Sequence, residues 1–268
     1  MEQLKIHKSQ GERLKVKVGN FVIGGDKKVI ISGPCAVENY EQMDSIGSGL
    51  KKIGVHMLRG GAFKPRTSPY DFQGLQEHGI KILYETGKKY DMPIVTEILD
   101  PRDLEKYLDY IDIIQIGSRN MYNYSLLKEV GKCKKPVLLK RGISATIREW
   151  ILAAEYILKE GNKDVILCER GIRTFEQSTR NTLDLNAIAY IKENYRVPII
   201  IDPSHGTGLR EIVSPMALAG IVAGADGVII ESHINPEKSI SDARQTVSLG
   251  TMEGIVNRIK VLEETNLL

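Results

Sequence analysis

Short apolar runs rich in Val, Ile and Leu recur along the chain, and stretches with helical spacing of apolar residues separate them. The runs that read as strands are Val29–Ser32, Val55–Arg59, Pro93–Glu97, Ile111–Ile116, Pro136–Lys140, Val165–Glu169, Pro198–Ile201 and Gly227–Glu231. Helical periodicity predicts helices over Ile80–Tyr90, Ile147–Lys159, Thr182–Glu193 and Gly254–Glu264, with a weaker segment around Arg102–Leu108. Near-continuous apolar runs belong to strands buried on both faces, as in a parallel sheet covered by helices. Eight such strands, each followed by a helix, predict an α/β fold of the (β/α)8 TIM barrel type rather than an open sheet. Ahead of them, Arg13 to Val18 alternates polar and apolar residues. Gly19-Asn20 and then Phe21-Val22-Ile23 complete the pattern of a short N-terminal β-hairpin that caps the fold. The expected organisation is therefore an extension with this hairpin at 1–27 and a barrel at 28–268, with no linker or low-complexity tract inside it.

Composition narrows the function classes. The chain has 268 residues, 42% hydrophobic and 26% charged, which is ordinary for a globular protein with a large core. A net charge of +3 is too small to draw nucleic acid or a membrane surface, so anionic ligands would have to be attracted by local clusters. Nucleic-acid binding is further disfavoured because the cations fall on strand-end loops and only 6% of residues are aromatic. The start, MEQLKIHKSQGERLK, lacks the apolar stretch of a signal peptide. The most apolar later region, Met216 to Ile230, is too short to span a membrane and contains Asp226. Three cysteines (Cys35, Cys133 and Cys168) do not make a disulfide framework and fit a cytoplasmic location.

Candidate chemistry gathers where each predicted strand ends, the face on which barrel enzymes place their reactive groups. In order, the strand ends carry Gly33-Pro34-Cys35, Arg59 to Arg66, Glu97, Gln115 with Arg119, Lys140-Arg141, Glu169-Arg170, Asp202 with His205, and Glu231 with His233. A barrel serving only as a scaffold has no need of polar groups on every strand at one rim. One constellation is cationic: Arg59, Lys64, Arg66, Arg119, Lys140, Arg141, Arg170 and Arg173. Guanidinium groups grip phosphate and carboxylate oxygens in pairs, so this set suits a phosphorylated, carboxylated substrate and two phosphate sites. The plainer reading is that half of these cations simply pair with Glu97, Glu169 and Asp202. A second constellation is metal-capable: Cys35, His205, Glu231 and Asp242. Its mix of soft and hard donors suits a divalent transition ion with an open position. No compact spacing supports that set, and each member has a bland alternative. Cys35 could be a small core residue, His205 a capping group and Asp242 a helix N-cap.

These same stretches carry a resemblance. GPCAVE (33–38), LRGGAFKPRTSPYDFQG (58–74), QIGSRNMYN (115–123), LLKRG (138–142), CERGIRTFE (168–176), DPSHGTG (202–208) and IIESHINPEKSISDARQ (229–245) resemble the 3-deoxy-D-arabino-heptulosonate-7-phosphate (DAHP) synthases. The likeness is to the group close to 3-deoxy-D-manno-octulosonate-8-phosphate synthase, and it runs in order from residue 28 to the end. It implies a (β/α)8 barrel that condenses phosphoenolpyruvate with erythrose 4-phosphate, the first step of the shikimate pathway toward the aromatic amino acids. It also implies a divalent metal cofactor (Mn2+, Fe2+, Co2+, Zn2+ or similar) held by Cys35, His205, Glu231 and Asp242. The phosphoenolpyruvate site implied is Arg59, Lys64, Lys140 and Arg170, with Arg119 and the backbone near Gly117-Ser118. Arg66 and Thr67 of the KPRT run would hold erythrose 4-phosphate. The octulosonate relatives have a KANRS-like run there, so Pro65-Arg66-Thr67 points to the shorter sugar. Ser232 stands where Val is common and is expected to face away from the metal.

On this resemblance the ion polarises the aldehyde, C3 of phosphoenolpyruvate attacks it, and phosphate leaves by C–O cleavage. Lys64 is the expected proton donor to the new alkoxide, and Glu97 the candidate to stabilise positive charge at C2 or deliver water. With the ligands Cys35 and His205, these two make up the expected catalytic set. Only about 27 residues precede the barrel, so neither a regulatory nor a chorismate mutase domain is expected there, nor inhibition by aromatic amino acids or prephenate. The family implies a homotetramer, with the hairpin closing the barrel floor or touching a neighbour, and leaves room for a separate chorismate mutase partner. Two alternatives stay open: octulosonate-8-phosphate synthesis from arabinose 5-phosphate, and a non-catalytic barrel that binds phosphorylated metabolites.

Overall fold

The computed structural model describes residues 4–66 and 68–265. Two three-residue strands, β1 (Val16–Val18) and β2 (Phe21–Ile23), pair antiparallel across the Gly19-Asn20 turn, with Val18 opposite Phe21. Strands and helices then alternate: β3 (Val29–Gly33), α1 (Tyr40–Ile53), β4 (Met57–Arg59), α2 (Gln76–Lys89), β5 (Ile94–Glu97) and α3 (Leu104–Tyr107). The second half follows with β6 (Ile113–Ile116), α4 (Tyr124–Lys132), β7 (Val137–Lys140), α5 (Ile147–Lys159), β8 (Val165–Glu169) and α6 (Leu185–Asn194). The last units are β9 (Ile199–Ile201), α7 (Pro203–Thr207), α8 (Arg210–Val222), β10 (Gly227–His233), β11 (Val247–Ser248) and α9 (Leu249–Glu264). Strands β3 to β10 are all parallel, and β10 pairs with both β3 and β9, which closes the ring into a (β/α)8 TIM barrel. The weakly patterned segment after β5 forms a single α-helical turn, α3, between two 3-10 turns, Pro101–Asp103 and Leu108–Tyr110. Helix α6 begins at Leu185, three residues later than its periodicity predicts, because the Asp184 side chain caps it by accepting from Ala187 N.

Side chains alternate between the two faces of a strand, and here the alternation separates two cores. One residue in each strand pair faces the helices: Ile30, Leu58, Ile94, Ile114, Leu139 and Leu167 belong to the outer layer. The intervening positions, Val29, Ile31, Met57, Val95, Ile113, Leu138, Ile166, Cys168, Ile200 and Ile229, pack together inside the barrel. Val16, Val18 and Ile23 of the hairpin join this inner cluster, so the hairpin seals the barrel floor. No helix among the described residues is long and apolar enough to cross a membrane.

The hairpin segment is also tied to the floor by charge. Asp226, 2% exposed, accepts from Arg13 Nη2 at 2.6 Å, Lys192 Nζ at 2.9 Å and the backbone N–H of Ile199 at 2.8 Å. Removing one partner of a buried ion pair leaves the others desolvated and unmatched. Asp226→Ala is therefore expected to cost about 3 kcal/mol, the lower end for such losses because Arg13 and Lys192 keep some contact with water. Arg13→Ala, which leaves Lys192 in place, should cost only about 1 kcal/mol. Urea unfolding midpoints of the two variants check the order.

Candidate active site at the barrel mouth

The same strand parity that fills the barrel interior decides which charged residues reach its mouth, the rim at the C-terminal strand ends. Arg59 keeps the inward phase of Met57, Glu97 that of Val95, Gln115 that of Ile113, Lys140 that of Leu138 and Arg170 that of Cys168. Asp202 and Glu231 keep the phase of Ile200 and Ile229 in the same way. Arg59, Glu97, Gln115, Lys140 and Arg170 line a cavity of about 260 Å³, with Lys64 and Arg66 from the loop after β4. Gly117, Ser118, Arg119, Arg180, His205 and Asp242 complete its wall. Thr67 lies outside the described residues.

Two cations of the predicted set do not reach the cavity. Arg141 has the outward phase of Leu139; its guanidinium bonds Glu169, Asp184 and the Ala145 carbonyl and lies over Trp150. It braces the loop behind the site. Arg173 is exposed and only its backbone N–H is engaged, with Ile143 O. The pairing reading holds for part of the set: Arg141 meets Glu169 at 2.9 Å and Lys140 meets Asp202 at 2.6 Å, while Glu97 has no salt bridge among the described residues and Arg59 meets Glu231 instead, at 2.7 Å. Among the described residues Lys64, Arg66, Arg119 and Arg170 form no salt bridge. Arg119 donates to Pro65 O at 2.9 Å and Arg66 to Phe72 O at 3.3 Å, which ties Pro65 and Arg66 to the mouth. Burial lowers the pKa of Arg170, although Asp202 works against it, so an incoming anion would stabilise this guanidinium. Glu97 Oε1 stands so close over Gly117 that a Cβ there would push the carboxylate from its place at the cavity wall.

The metal-capable residues converge. One donor atom each of Cys35, Glu231 and Asp242 lies within 4.8 Å of the others. His205 Nε2 stands 3.5 Å from Glu231 Oε1 and 3.9 Å from Asp242 Oδ2. Asp202 delivers the histidine: it caps α7, accepting from His205 N at 3.0 Å, and its carboxylate lies 2.8 Å from Nδ1. Among the described residues Nδ1 makes no other polar contact. The carboxylate leaves Nε2 as the nitrogen offered to the cluster, the arrangement in which a carboxylate orients a ligating imidazole. Ser232 turns away, with its hydroxyl 2.8 Å from that of Ser32.

The electrostatics match a cation site. Burial pushes the Cys35 thiol up to about 12, helped by Glu231 and opposed by Lys64, whose Nζ is 2.9 Å from Sγ. Sγ also lies 3.2 Å from Asp242 Oδ2. A thiol held this close to carboxylates keeps its proton until a metal displaces it. Glu231 is pulled the other way: burial favours its neutral form, but His205, Arg59 and Lys64 outweigh that and hold it well below the carboxylate range. One thiol, one imidazole and two carboxylates with a cavity on one side fit a divalent transition ion that keeps an open position.

A (β/α)8 barrel whose mouth combines a metal-capable cluster with unpaired cations is an enzyme scaffold for small, multiply charged anions. The profile of the DAHP synthetase I family matches residues 4–266, and the chain belongs to that family. The phospho-2-dehydro-3-deoxyheptonate aldolase of Thermotoga maritima is 49% identical over 93% of this chain and 74% of its own length. A crystal structure of DAHP synthase from Thermotoga maritima superposes with a TM-score of 0.95 at 46% identity, covering 98% of this chain and 77% of that one. The truncated form of the Thermotoga maritima enzyme gives 0.91 at 42% identity, covering 98% and 97%. The 2-dehydro-3-deoxyphosphooctonate aldolase of Fusobacterium nucleatum is 30% identical over 90% of this chain and 93% of its own length. The comparisons support the heptulosonate reading over the octulosonate one.

Two residues of the site carry no signal in the sequence reading. Arg180 sits in the long segment between β8 and α6, where no periodicity marks it, and Gln245 ends the SISDARQ stretch without a role.

Because Glu231 and Asp202 have folded pKa values below their unfolded ones, each contributes stability above the ordinary carboxylate range of about 4. That contribution is lost as pH falls, since the unfolded chain takes up protons the folded one refuses. Urea stability of the metal-stripped protein is expected to drop between about pH 5 and pH 3, and less steeply in Glu231→Gln. Parallel slopes would place the acid sensitivity elsewhere.

Proposed function

We propose that this chain condenses phosphoenolpyruvate with erythrose 4-phosphate into DAHP and phosphate, the entry to the shikimate pathway, with a divalent ion held by Cys35, His205, Glu231 and Asp242. The observation that carries the reading is that these four donors and the unpaired cations Lys64 and Arg170 share one mouth. The catalytic unit is the barrel from residue 28, and 1–27 is an extension whose hairpin closes its floor. The unpaired cysteines Cys35, Cys133 and Cys168 fit a reducing cytoplasm.

When bound, the ion supplies Lewis-acid polarisation of the aldehyde. Every other task falls to side chains. Arg59, Lys140 and Arg170, all 5% exposed or less, bind the phosphate and carboxylate of the enol ester with Arg119 and the Gly117-Ser118 backbone. Arg66, with Thr67 next to it in the sequence, takes the phosphate of the aldose. That arrangement holds C3 of the enol against the aldehyde carbon. The electron pair moves to the aldehyde oxygen, and the Lys64 ammonium donates its proton there. Glu97, unpaired among the described residues, faces the carbon that becomes cationic and guides water to it. The tetrahedral adduct then loses phosphate by C–O cleavage.

Phosphate release is expected with phosphoenolpyruvate plus erythrose 4-phosphate, not with arabinose 5-phosphate, and it should stop on chelation and return with Mn2+ or Co2+. Release with the pentose alone would transfer the chain to the octulosonate reaction; none with either aldehyde under any metal would revive the non-catalytic reading. Lys64→Met should lower kcat by about 100-fold or more, as for loss of a positioned acid. Near-normal turnover would remove Lys64 from the proton transfer. Cys35→Ser is expected to reduce bound metal, measured directly by elemental analysis after dialysis.

A further inference from the structure

Gln245 and Arg180 have no part in the chemistry above, yet they connect the metal-capable carboxylates to the cavity wall. Gln245 is 3% exposed. Its Nε2 donates to Glu231 Oε2 at 2.6 Å, and its Oε1 accepts from Arg180 Nη1 at 2.9 Å. The same Arg180 nitrogen lies 3.6 Å from Asp242 Oδ1. An ionised carboxylate only accepts and a guanidinium only donates, so the amide has a single orientation that satisfies both ends. A leucine or a glutamate at 245 could not make both bonds.

The backbone carries the same arrangement. Asp242 adopts φ +51, a left-handed conformation unusual for a residue with a Cβ and costing about 1 kcal/mol or more. Its carbonyl is held by Gln245 N at 3.1 Å, Thr246 N at 3.2 Å and Thr246 Oγ1 at 2.9 Å. The turn that aims Asp242 is therefore closed by Gln245 itself. Arg180 is fixed from the other side: its N–H bonds Thr207 O at 2.9 Å. Gly208, at φ +69, leaves room for the Arg180 side chain that a Cβ would fill. The turn after His205, the β8–α6 segment and the turn after β10 thus meet at Arg180.

We infer that Gln245 and Arg180 are positioning residues for the metal ligands, an inference that rests on reading Cys35, His205, Glu231 and Asp242 as the ligand set. Gln245 fixes the rotamer of Glu231, and Arg180 holds both the Gln245 amide and the Asp242 carboxylate. Outer groups of this kind set ligand direction and metal affinity without touching the ion.

The test is titration of the metal-stripped protein with Co2+, followed by visible d–d absorption and the thiolate-to-cobalt charge-transfer band. Gln245→Leu is expected to weaken Co2+ binding about 10- to 100-fold and shift the d–d bands, with the thiolate band retained because Cys35 is untouched. The near-isosteric Gln245→Glu, which cannot donate to Glu231 when ionised, should weaken binding as well and serves if the leucine variant does not fold. Arg180→Leu should weaken it too, and Arg180→Lys should recover part of that loss. The Gln245→Leu/Arg180→Leu double variant should lose little more than the worse single one, because the two act through one relay. Wild-type affinity and spectrum in a folded Gln245 variant, or fully additive losses in the double, would overturn the inference and leave the ligand assignment standing. Failure of the wild type to bind Co2+, or Cys35→Ser keeping the thiolate band, would overturn the ligand assignment and this inference with it.

Discussion

The mouth of this barrel has to hold ionised side chains where almost no water reaches them. Arg59, Lys140, Arg170, Asp202 and Glu231 are each 5% exposed or less. An isolated charge in such a place costs several kcal/mol, so each must be matched or must await a ligand. Arg59 is matched by Glu231, and Lys140 by Asp202, which also caps the helical turn that presents His205. Once those pairs form, Arg170 is the buried cation left without a carboxylate partner among the described residues, and the half-buried Lys64 and Arg66 and the exposed Arg119 stand around it with none either.

Strand parity turns the sequence into that arrangement. The barrel was readable from apolar runs of four to six residues, whose length and β-branched content left little choice of architecture, and the ends of the predicted strands fell within two residues of the observed ones. The charged residues beyond the strand ends were readable as a group but not as individuals. Lys140 and Arg141 are neighbours in sequence, yet the first points into the cavity and the second into the packing behind it. Which one points inward follows from Leu138 packing with the inner cluster and Leu139 with the outer. Apolar content cannot supply that phase when a strand is hydrophobic on both sides. Arg180 was beyond reach for a different reason: it arrives on a segment with no repeat, positioned by Thr207 and Gly208, which belong to another strand-end loop.

The two ends of the barrel divide the work. At the floor, Val16, Val18 and Ile23 of the hairpin fill the space that would otherwise admit water to the inner core, and Asp226 gathers Arg13 and Lys192 around one carboxylate. These contacts have no access to the cavity, so their contribution is stability alone. At the mouth, the groups are less economically arranged. Asp242 occupies a left-handed conformation, and among the described residues the one hydrogen bond of the Arg170 guanidinium is a long contact to Gly171 O. What the fold leaves open at Arg170 an external anion would complete.

The donor cluster shows the same logic at the level of one proton. The Cys35 thiol is flanked by Glu231 and Asp242, whose negative charge resists making it a thiolate, and by Lys64, which favours it. Burial tips this balance toward the neutral thiol. A divalent cation reverses it, since two positive charges among three acidic groups convert mutual repulsion into attraction and release the proton. The ammonium of Lys64, now 2.9 Å from sulfur, would then face a ligand whose charge the ion has absorbed. On the proposed mechanism, the contact that holds Lys64 to the cluster without metal is the one that would set the proton donor beside the reacting atoms.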